Sequence, residues 1–256
     1  MGGSSTFRER PLKPIHIPKV DARYWAAITL ASVFGTNLGD LYAHESGLGI
    51  YLGVALLTVL AVAALLVERG DSRPHQFYYW LVIIIIRTGA TNIADYLAFR
   101  VRIPGLLLTL GLAALVTFFG WRSARGARQA ASGLPNTGSD YWLAMLAAGV
   151  FGTALGDICS HMVGQGVASI GLSVVLALAL LLRAKGVVGT FFSYWLAVAC
   201  ARTAGTAIGD WLAENHILNI GLPLSTLMTG GAFVALLLLW RSRPSRGGTA
   251  GLNAAS

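Results

Sequence analysis

Charged residues are scarce in this chain of 256 amino acids. They make up 12% of it, whereas soluble domains carry about 25%. Hydrophobic residues account for 55%, and the mean hydropathy is +0.65. So few charges cannot cover a water-facing surface, which excludes an ordinary soluble protein and favours a surface that faces lipid.

Cysteine is also rare, and the sequence shows no sign of a cleavable signal peptide. The two cysteines, Cys159 and Cys200, both lie in apolar runs, which favours small core residues over a disulfide or a metal pair. Residues 1–23 are polar and lack the apolar core of a cleavable signal peptide. There is no Ser/His/Asp elbow, phosphate loop or cofactor signature. We therefore expect a protein that is not an enzyme and has no cofactor, unless a divalent cation is bound.

Eight apolar segments make up most of the sequence, and most of them reach the roughly 20 residues that are needed to cross a bilayer. They predict an all-α integral membrane protein with eight transmembrane helices. The segments are 24–45, 48–68, 76–99, 103–121, 141–163, 168–183, 189–213 and 219–240.

The net charge of +8 comes from basic residues outside these segments, so it indicates membrane topology rather than a nucleic-acid partner. The two termini and the loops after the second, fourth and sixth segments hold 15 of the 19 Lys and Arg residues. The positive-inside rule then predicts that both termini are cytoplasmic. We divide the chain into an N-terminal segment, two four-helix halves, a linker and a tail: 1–23, 24–125, 140–243, 126–139 and 244–256.

One pattern occurs four times without gaps. Tyr-Trp is followed, 15 residues after the Trp, by Asp, in the endings T-N-L-G-D, T-N-I-A-D, T-A-L-G-D and T-A-I-G-D. Each such helix precedes a plainer apolar helix, so a two-helix unit returns the chain to its starting side. This predicts four parallel repeats. The sequences of units one and three match each other best, as do those of units two and four. We therefore expect pseudo-twofold symmetry between the halves, in addition to an older fourfold repeat.

The motif places polar groups inside the membrane. Thr and Asp, four residues apart, share a helix face, and Asn37 and Asn92 lie beside it. From an interfacial Trp, 15 residues place the Asp roughly 22 Å deep. Intramembrane ionisable groups suggest a functional site. The predicted site for a substrate or ion comprises Asp40, Asp95, Asp157, Asp210, Thr36, Thr91, Thr153, Thr206, Asn37, Asn92, Arg87 and Arg202.

Other motif residues have different predicted roles. Small residues four apart allow close helix packing, and the Tyr-Trp pairs resemble an interfacial aromatic belt. Arg87 and Arg202 could each pair with an Asp of a neighbouring helix. In units one and three, Asp40 with His44 and Asp157 with His161 have the i, i+4 spacing of metal ligands. The alternatives are that the Asp residues cap neighbouring helices and that the two His residues face the outer interface.

The fourfold Y-W…T-x-[LI]-[GA]-D units, over residues 24–240, resemble bacterial membrane-anchored proteins classed by a repeat of unknown function. The resemblance implies a bacterial inner-membrane protein and no particular activity. For this protein, we predict as partners the lipid bilayer and a small ion or solute, and no nucleic acid. The oligomeric state stays open.

From the residues, we expect a transporter of a cation, with a divalent metal favoured. The alternatives are a proton-coupled carrier of an organic solute that stacks on Tyr42, Tyr96 or Trp211, an intramembrane metal-dependent enzyme, and a non-catalytic scaffold.

Overall fold

The computed structural model describes residues 17–71, 76–124, 133–187 and 189–241. These residues form eight helices and no strand. Their bounds agree with the predicted segments to within a few residues. The helices are α1 (Ala22–Glu45), α2 (Gly49–Glu68), α3 (Phe77–Asp95), α4 (Gly105–Ala124), α5 (Ser139–Val163), α6 (Gln165–Ala184), α7 (Thr190–Glu214) and α8 (Leu222–Arg241).

Local signals explain several helix ends. The Asp21 side chain caps α1 by accepting hydrogen bonds from the backbone N–H groups of Arg23 and Tyr24, at 2.9 and 3.0 Å. α3 continues as a π-helical turn, Tyr96–Arg100. Gly164 separates α5 from α6 with a φ of +85°, a conformation that costs glycine little.

Six of the helical segments in the described part are long and apolar enough to cross a membrane. They are α2, α3 with its π-helical turn, α4, α5, α6 and α8. All-helical architecture with several such segments makes this a multi-pass membrane protein. The helices outside that set, α1 and α7, carry polar residues of the motif and contact each other.

The motif helices form an inner ring in which α1 contacts α3, α3 contacts α5, α5 contacts α7, and α7 contacts α1. The other four helices pack around it in a regular manner. Each lies mainly on the motif helix of the following unit: α2 on α3, α4 on α5, α6 on α7 and α8 on α1. The inner ring therefore surrounds a central axis. The second helix of each unit packs against the motif helix of the next unit around the ring.

The two predicted halves interlock instead of standing apart, because α4 packs on α5 and α8 packs on α1. The described end of the predicted linker is also packed. Leu134 is 1% exposed, and the backbone N–H of Asn136 donates to the carbonyl of Ser123. Residues 1–16, 126–132 and 244–256 of the predicted terminal segments and linker lie outside the described residues.

Close approach of the inner helices depends on the small residues of the motif. A methyl group at Gly152 of α5 would lie 2.5 Å from Cβ of Arg202 and 2.7 Å from its backbone carbon. No carbon atoms approach so closely without a shift of the helices. The predicted role of the small residues in packing therefore agrees with the structure.

Candidate functional site

The axis of the inner ring is lined by residues in steps of four along each motif helix. One step rises about 6 Å, so the four helices contribute successive layers of four side chains. In order from the N-terminal ends these layers are Tyr24, Tyr79, Tyr141 and Tyr194; Ile28, Ile83, Met145 and Val198; Ser32, Arg87, Gly149 and Arg202; Thr36, Thr91, Thr153 and Thr206; and Asp40, Asp95, Asp157 and Asp210.

The first layer is a closed ring of four tyrosine hydroxyls. Successive O–O distances around the ring, beginning with Tyr24 and Tyr79, are 3.1, 2.5, 3.0 and 2.6 Å. Each hydroxyl can donate one hydrogen bond and accept another. Hydrogen bonds of this length leave opposite oxygens only about 4 Å apart. That gap is too narrow for a hydrated ion, so the tyrosines close the axis at this end.

This ring corrects the interpretation of the Tyr-Trp pairs as an interfacial belt. The four tyrosines are at most 1% exposed and the four tryptophans at most 8%. Each tyrosine packs on the tryptophan of the next motif helix, with ring centroids 5.7 or 5.8 Å apart. The aromatic pairs therefore join neighbouring inner helices, and their exact fourfold spacing was the signal for this role.

Arg87 lies on the axis and is held by the threonines of all four units. Its Nη2 donates to Thr36 and Thr206, both at 2.5 Å. Its Nη1 donates to Thr153 at 2.7 Å and Thr91 at 3.2 Å. The carbonyl of Gly149 accepts a fifth hydrogen bond, at 3.3 Å. One guanidinium thus connects four helices.

The threonines suit this role because three of them also bond their own helices. Thr36, Thr91 and Thr206 donate to the carbonyl four residues earlier, at 2.9, 3.4 and 3.2 Å. Donation along the helix leaves hydroxyl lone pairs that face the axis. These three hydroxyls therefore present acceptors to the axis, which matches a guanidinium that has donors only.

Arg202 occupies the same position in unit four but has different partners. It is fully buried, and its Nη1 donates to Ser32 at 3.3 Å. Its Nη2 lies 3.8 Å from the sulfur of Met145, which belongs to the layer nearer the tyrosines. Arg202 and Arg87 therefore extend in opposite directions along the axis.

Neither arginine forms a salt bridge within the described ranges, contrary to the predicted pairing with an Asp. Arg87 is nevertheless attracted electrostatically by Asp210, Asp40 and Asp157. The Nε atoms of both arginines are buried, and neither has a hydrogen-bond partner in the described residues.

The four aspartates form the last layer, at the end of the axis away from the tyrosines. All four are half-buried, so this end of the ring is more open than the tyrosine end. Asp40, Asp157 and Asp210 repel one another electrostatically, and Glu214 adds to the negative charge. The layer is therefore an acidic vestibule beside the Arg87 guanidinium.

The structure turns the two predicted asparagines away from this layer. Asn37 donates to the hydroxyl of Ser225 in α8 at 2.6 Å. Asn92 donates to the carbonyls of Gly39 and Thr88, at 3.0 and 2.9 Å. These amides join helices, and neither lies among the predicted ligands of a substrate or ion.

The predicted metal ligands form no group of three in the part of the chain that the structure describes, although His44 interacts electrostatically with Asp95. His44 and His161 are exposed at the ends of their helices. Across the described residues, no three His, Cys, Asp or Glu side chains are grouped to hold one ion. Asp40 and Asp157 share the acidic vestibule, whereas their i+4 histidines lie at its outer edge.

The aromatic residues proposed for stacking on an organic solute pack against outer helices. The hydroxyl of Tyr42 donates to the carbonyl of Gly53 in α2 at 3.2 Å. Tyr96 shares a hydrogen bond of 2.6 Å with Tyr51, also in α2. Trp211 lies close to Gly166 of α6. None of the three contacts supports a stacking surface in the vestibule.

The fold and this site define a multi-pass helical membrane protein with a sealed, charged axis. Residues 23–69 and 193–244 match the family described as Repeat of Unknown Function (DUF347). Each match spans one motif helix and the helix after it, α1 with α2 and α7 with α8. The chain thus carries copies of this two-helix repeat, as its sequence predicts. Comparison with curated proteins and with solved structures found no match.

Proposed function

We propose that this protein is a bacterial inner-membrane transporter that takes up a cation at the ring of Asp40, Asp95, Asp157 and Asp210. All eight helices cross the membrane as four parallel two-helix repeats with pseudo-fourfold symmetry. Both termini face the cytoplasm, so the tyrosine ring lies on the cytoplasmic side. The observation that supports the proposal is that each of the four motif helices carries a half-buried aspartate at the same end of the inner ring, and these aspartates interact electrostatically with one another.

Charge favours a cation over other solutes. The layer holds four aspartates and Glu214 beside the single Arg87 guanidinium. A cation bound there stabilises the ionised form of these carboxyl groups, which burial otherwise disfavours. A divalent metal is the favoured cargo, because oxygen ligands and retained water suit such ions without a closed protein cage. Catalytic zinc needs about three protein ligands, and the described residues provide no such group.

Arg87 determines how a cation could continue beyond the vestibule. Its guanidinium lies on the axis between the carboxylates and the tyrosine ring, bound by four hydroxyls. A cation in the vestibule competes for the carboxylates that attract Arg87. Passage then requires the guanidinium to leave the threonines and the tyrosine ring to open, as the inner helices move relative to one another.

The test is cation flux into liposomes that contain the purified protein, with divalent metals and, in parallel, Na⁺ and K⁺. The variant Asp157→Asn removes one charge from the ring, and we expect it to reduce flux at least tenfold. Asp140→Asn is the matched control, because Asp140 lies at the opposite end of α5, paired with Arg122 at 3.1 Å. Flux no higher than in empty liposomes, or equal flux in the two variants, would contradict the proposal.

A further inference from the structure

The buried guanidinium of Arg202 has no anionic partner among the described residues. Its hydrogen-bond contacts are the Ser32 hydroxyl at 3.3 Å and the Met145 sulfur at 3.8 Å. The first is long for a hydrogen bond, and sulfur is a weak acceptor. Its Nε is buried without a partner. Five N–H donors and a full charge are thus almost unused.

Within the described ranges, no carboxylate is among the largest electrostatic interactions of Arg202. Its largest electrostatic interactions with other residues are those with the four tyrosines of the ring, which are neutral groups in their ordinary state. Arg87, the other charged neighbour on the axis, has the same sign and repels it. Arg87 is itself attracted by three aspartates, whereas the tyrosine ring and Met145 lie on the other side of Arg202.

An isolated charge inside a protein is costly unless a counter-charge and hydrogen bonds accompany it. Hydrogen-bond acceptors alone satisfy the N–H groups but leave the charge unpaired. Ser32 and Gly149, the other members of the layer from which both arginines extend, are small, and the unused Nε of Arg87 belongs to the same layer. Several N–H donors and a net positive charge therefore meet at this level.

We propose that a small monovalent anion, such as chloride, binds on the axis beside Arg202, between the tyrosine ring and the Arg87–threonine layer. One uncompensated positive charge calls for one negative charge. Complete burial of Arg202 within four closely packed helices limits the anion to a few atoms, such as a halide or nitrate. The site is separate from the aspartate ring and does not depend on cation transport.

The experiment uses the purified full-length protein in a neutral detergent, transferred into a buffer with gluconate as the only anion. Chloride, bromide or nitrate then replaces gluconate at constant pH and ionic strength. A ligand that binds only the folded state raises the melting temperature. At an anion concentration well above Kd, we expect the melting temperature to rise by roughly 5 °C. Sulfate, which is larger and divalent, should not reproduce it.

Variants locate the site. Arg202→Gln removes the charge, and its melting temperature should be independent of the anion. Arg202→Lys keeps the charge and should keep a saturable response. Arg100→Gln, at an exposed position, makes the same charge change elsewhere and should respond as the wild type does. A wild-type melting temperature that is the same in all anions, or an unchanged response in Arg202→Gln, would overturn the proposal.

A direct binding measurement on the wild-type protein tests the anion site even if Arg202→Gln does not fold. Equilibrium dialysis of the wild-type protein with radiolabelled chloride should give about one chloride per chain, displaced by excess bromide. Binding near zero refutes the site. Neither readout involves transport, so a failure of this proposal and a failure of the cation-transport proposal give different results.

Discussion

Arg87 and Arg202 occupy equivalent positions in two similar units, yet their surroundings differ. Both lie eight residues before an Asp, and both are completely buried. Arg87 extends to the threonine layer and donates five hydrogen bonds, whereas Arg202 extends toward the tyrosines and makes two weak contacts. The comparison shows that a repeated sequence does not give a repeated arrangement where charges meet on an axis.

The reason is competition for one position. The four threonine hydroxyls surround a single point on the axis, and Arg87 occupies it. A second guanidinium there would find no free acceptors and would be repelled by the first. Arg202 is therefore displaced toward the tyrosine ring, and the pseudo-twofold symmetry is broken at this layer. One arginine consequently stabilises the ring of helices, and the other provides an unsatisfied positive charge.

The largest expected difference between these regions is in stability. Arg87→Gln removes hydrogen bonds to four helices, and we expect it to lower the unfolding free energy by about 3 kcal/mol. This corresponds to a fall of roughly 6–12 °C in melting temperature. Arg202→Gln, in buffer free of small anions, should leave the melting temperature unchanged or raise it, because it removes an unpaired buried charge. Thermal unfolding of the two variants in detergent measures the difference.

If Arg87→Gln and Arg202→Gln lower the melting temperature equally, the hydrogen bonds of Arg87 do not stabilise the fold more than the weak contacts of Arg202 do. Thr153→Val offers a finer check, since it removes one acceptor from Arg87 and preserves side-chain shape. Its effect should lie well below that of Arg87→Gln.

A smaller effect is expected where the inner helices touch. Gly152→Ala places a methyl group 2.5 Å from Arg202 Cβ, and overpacking of this kind costs about 1–3 kcal/mol. Gly111→Ala is the matched control, because no atom lies within 4 Å of the added methyl group in α4. Alanine is also the better helix former, so the control should be neutral or slightly stabilising. Melting temperatures that fall equally in both variants would contradict the close contact between α5 and α7.

Much of this architecture follows from sequence periodicity. Apolar runs in the sequence predicted the eight helices to within a few residues, and six helical segments of the described part are long and apolar enough to cross a membrane. The fourfold spacing also placed Thr and Asp on one face of each motif helix. The threonines of all four units do meet on the axis.

The partners of these side chains could not be predicted in the same way. Spacing along one helix does not state which neighbouring helix a side chain meets, so it could not predict that Asn37 bonds Ser225 or that Asn92 bonds the carbonyl of Gly39. Aromatic pairs near helix ends occur at both membrane interfaces and helix contacts, and the interfacial interpretation of Tyr24 and its equivalents was wrong. Extending the steps of four from Asp through Thr to Tyr would have placed the tyrosines on the axis.

The smallest expected effect contrasts a tyrosine pair on the outside with the ring inside. Tyr79→Phe removes two of the four hydrogen bonds in the cycle of hydroxyls and leaves Tyr24 and Tyr141 bonded only to Tyr194, which should cost about 1 kcal/mol. Tyr51→Phe removes the same atom from a side chain that is 75% exposed and bonded to Tyr96, and we expect a change below about 0.5 kcal/mol. Chemical or thermal unfolding of both variants under identical conditions gives the comparison. If Tyr51→Phe costs as much as Tyr79→Phe, the four hydroxyls do not act as a cooperative seal, because cooperative hydrogen bonds lose more than one pair when one member is removed.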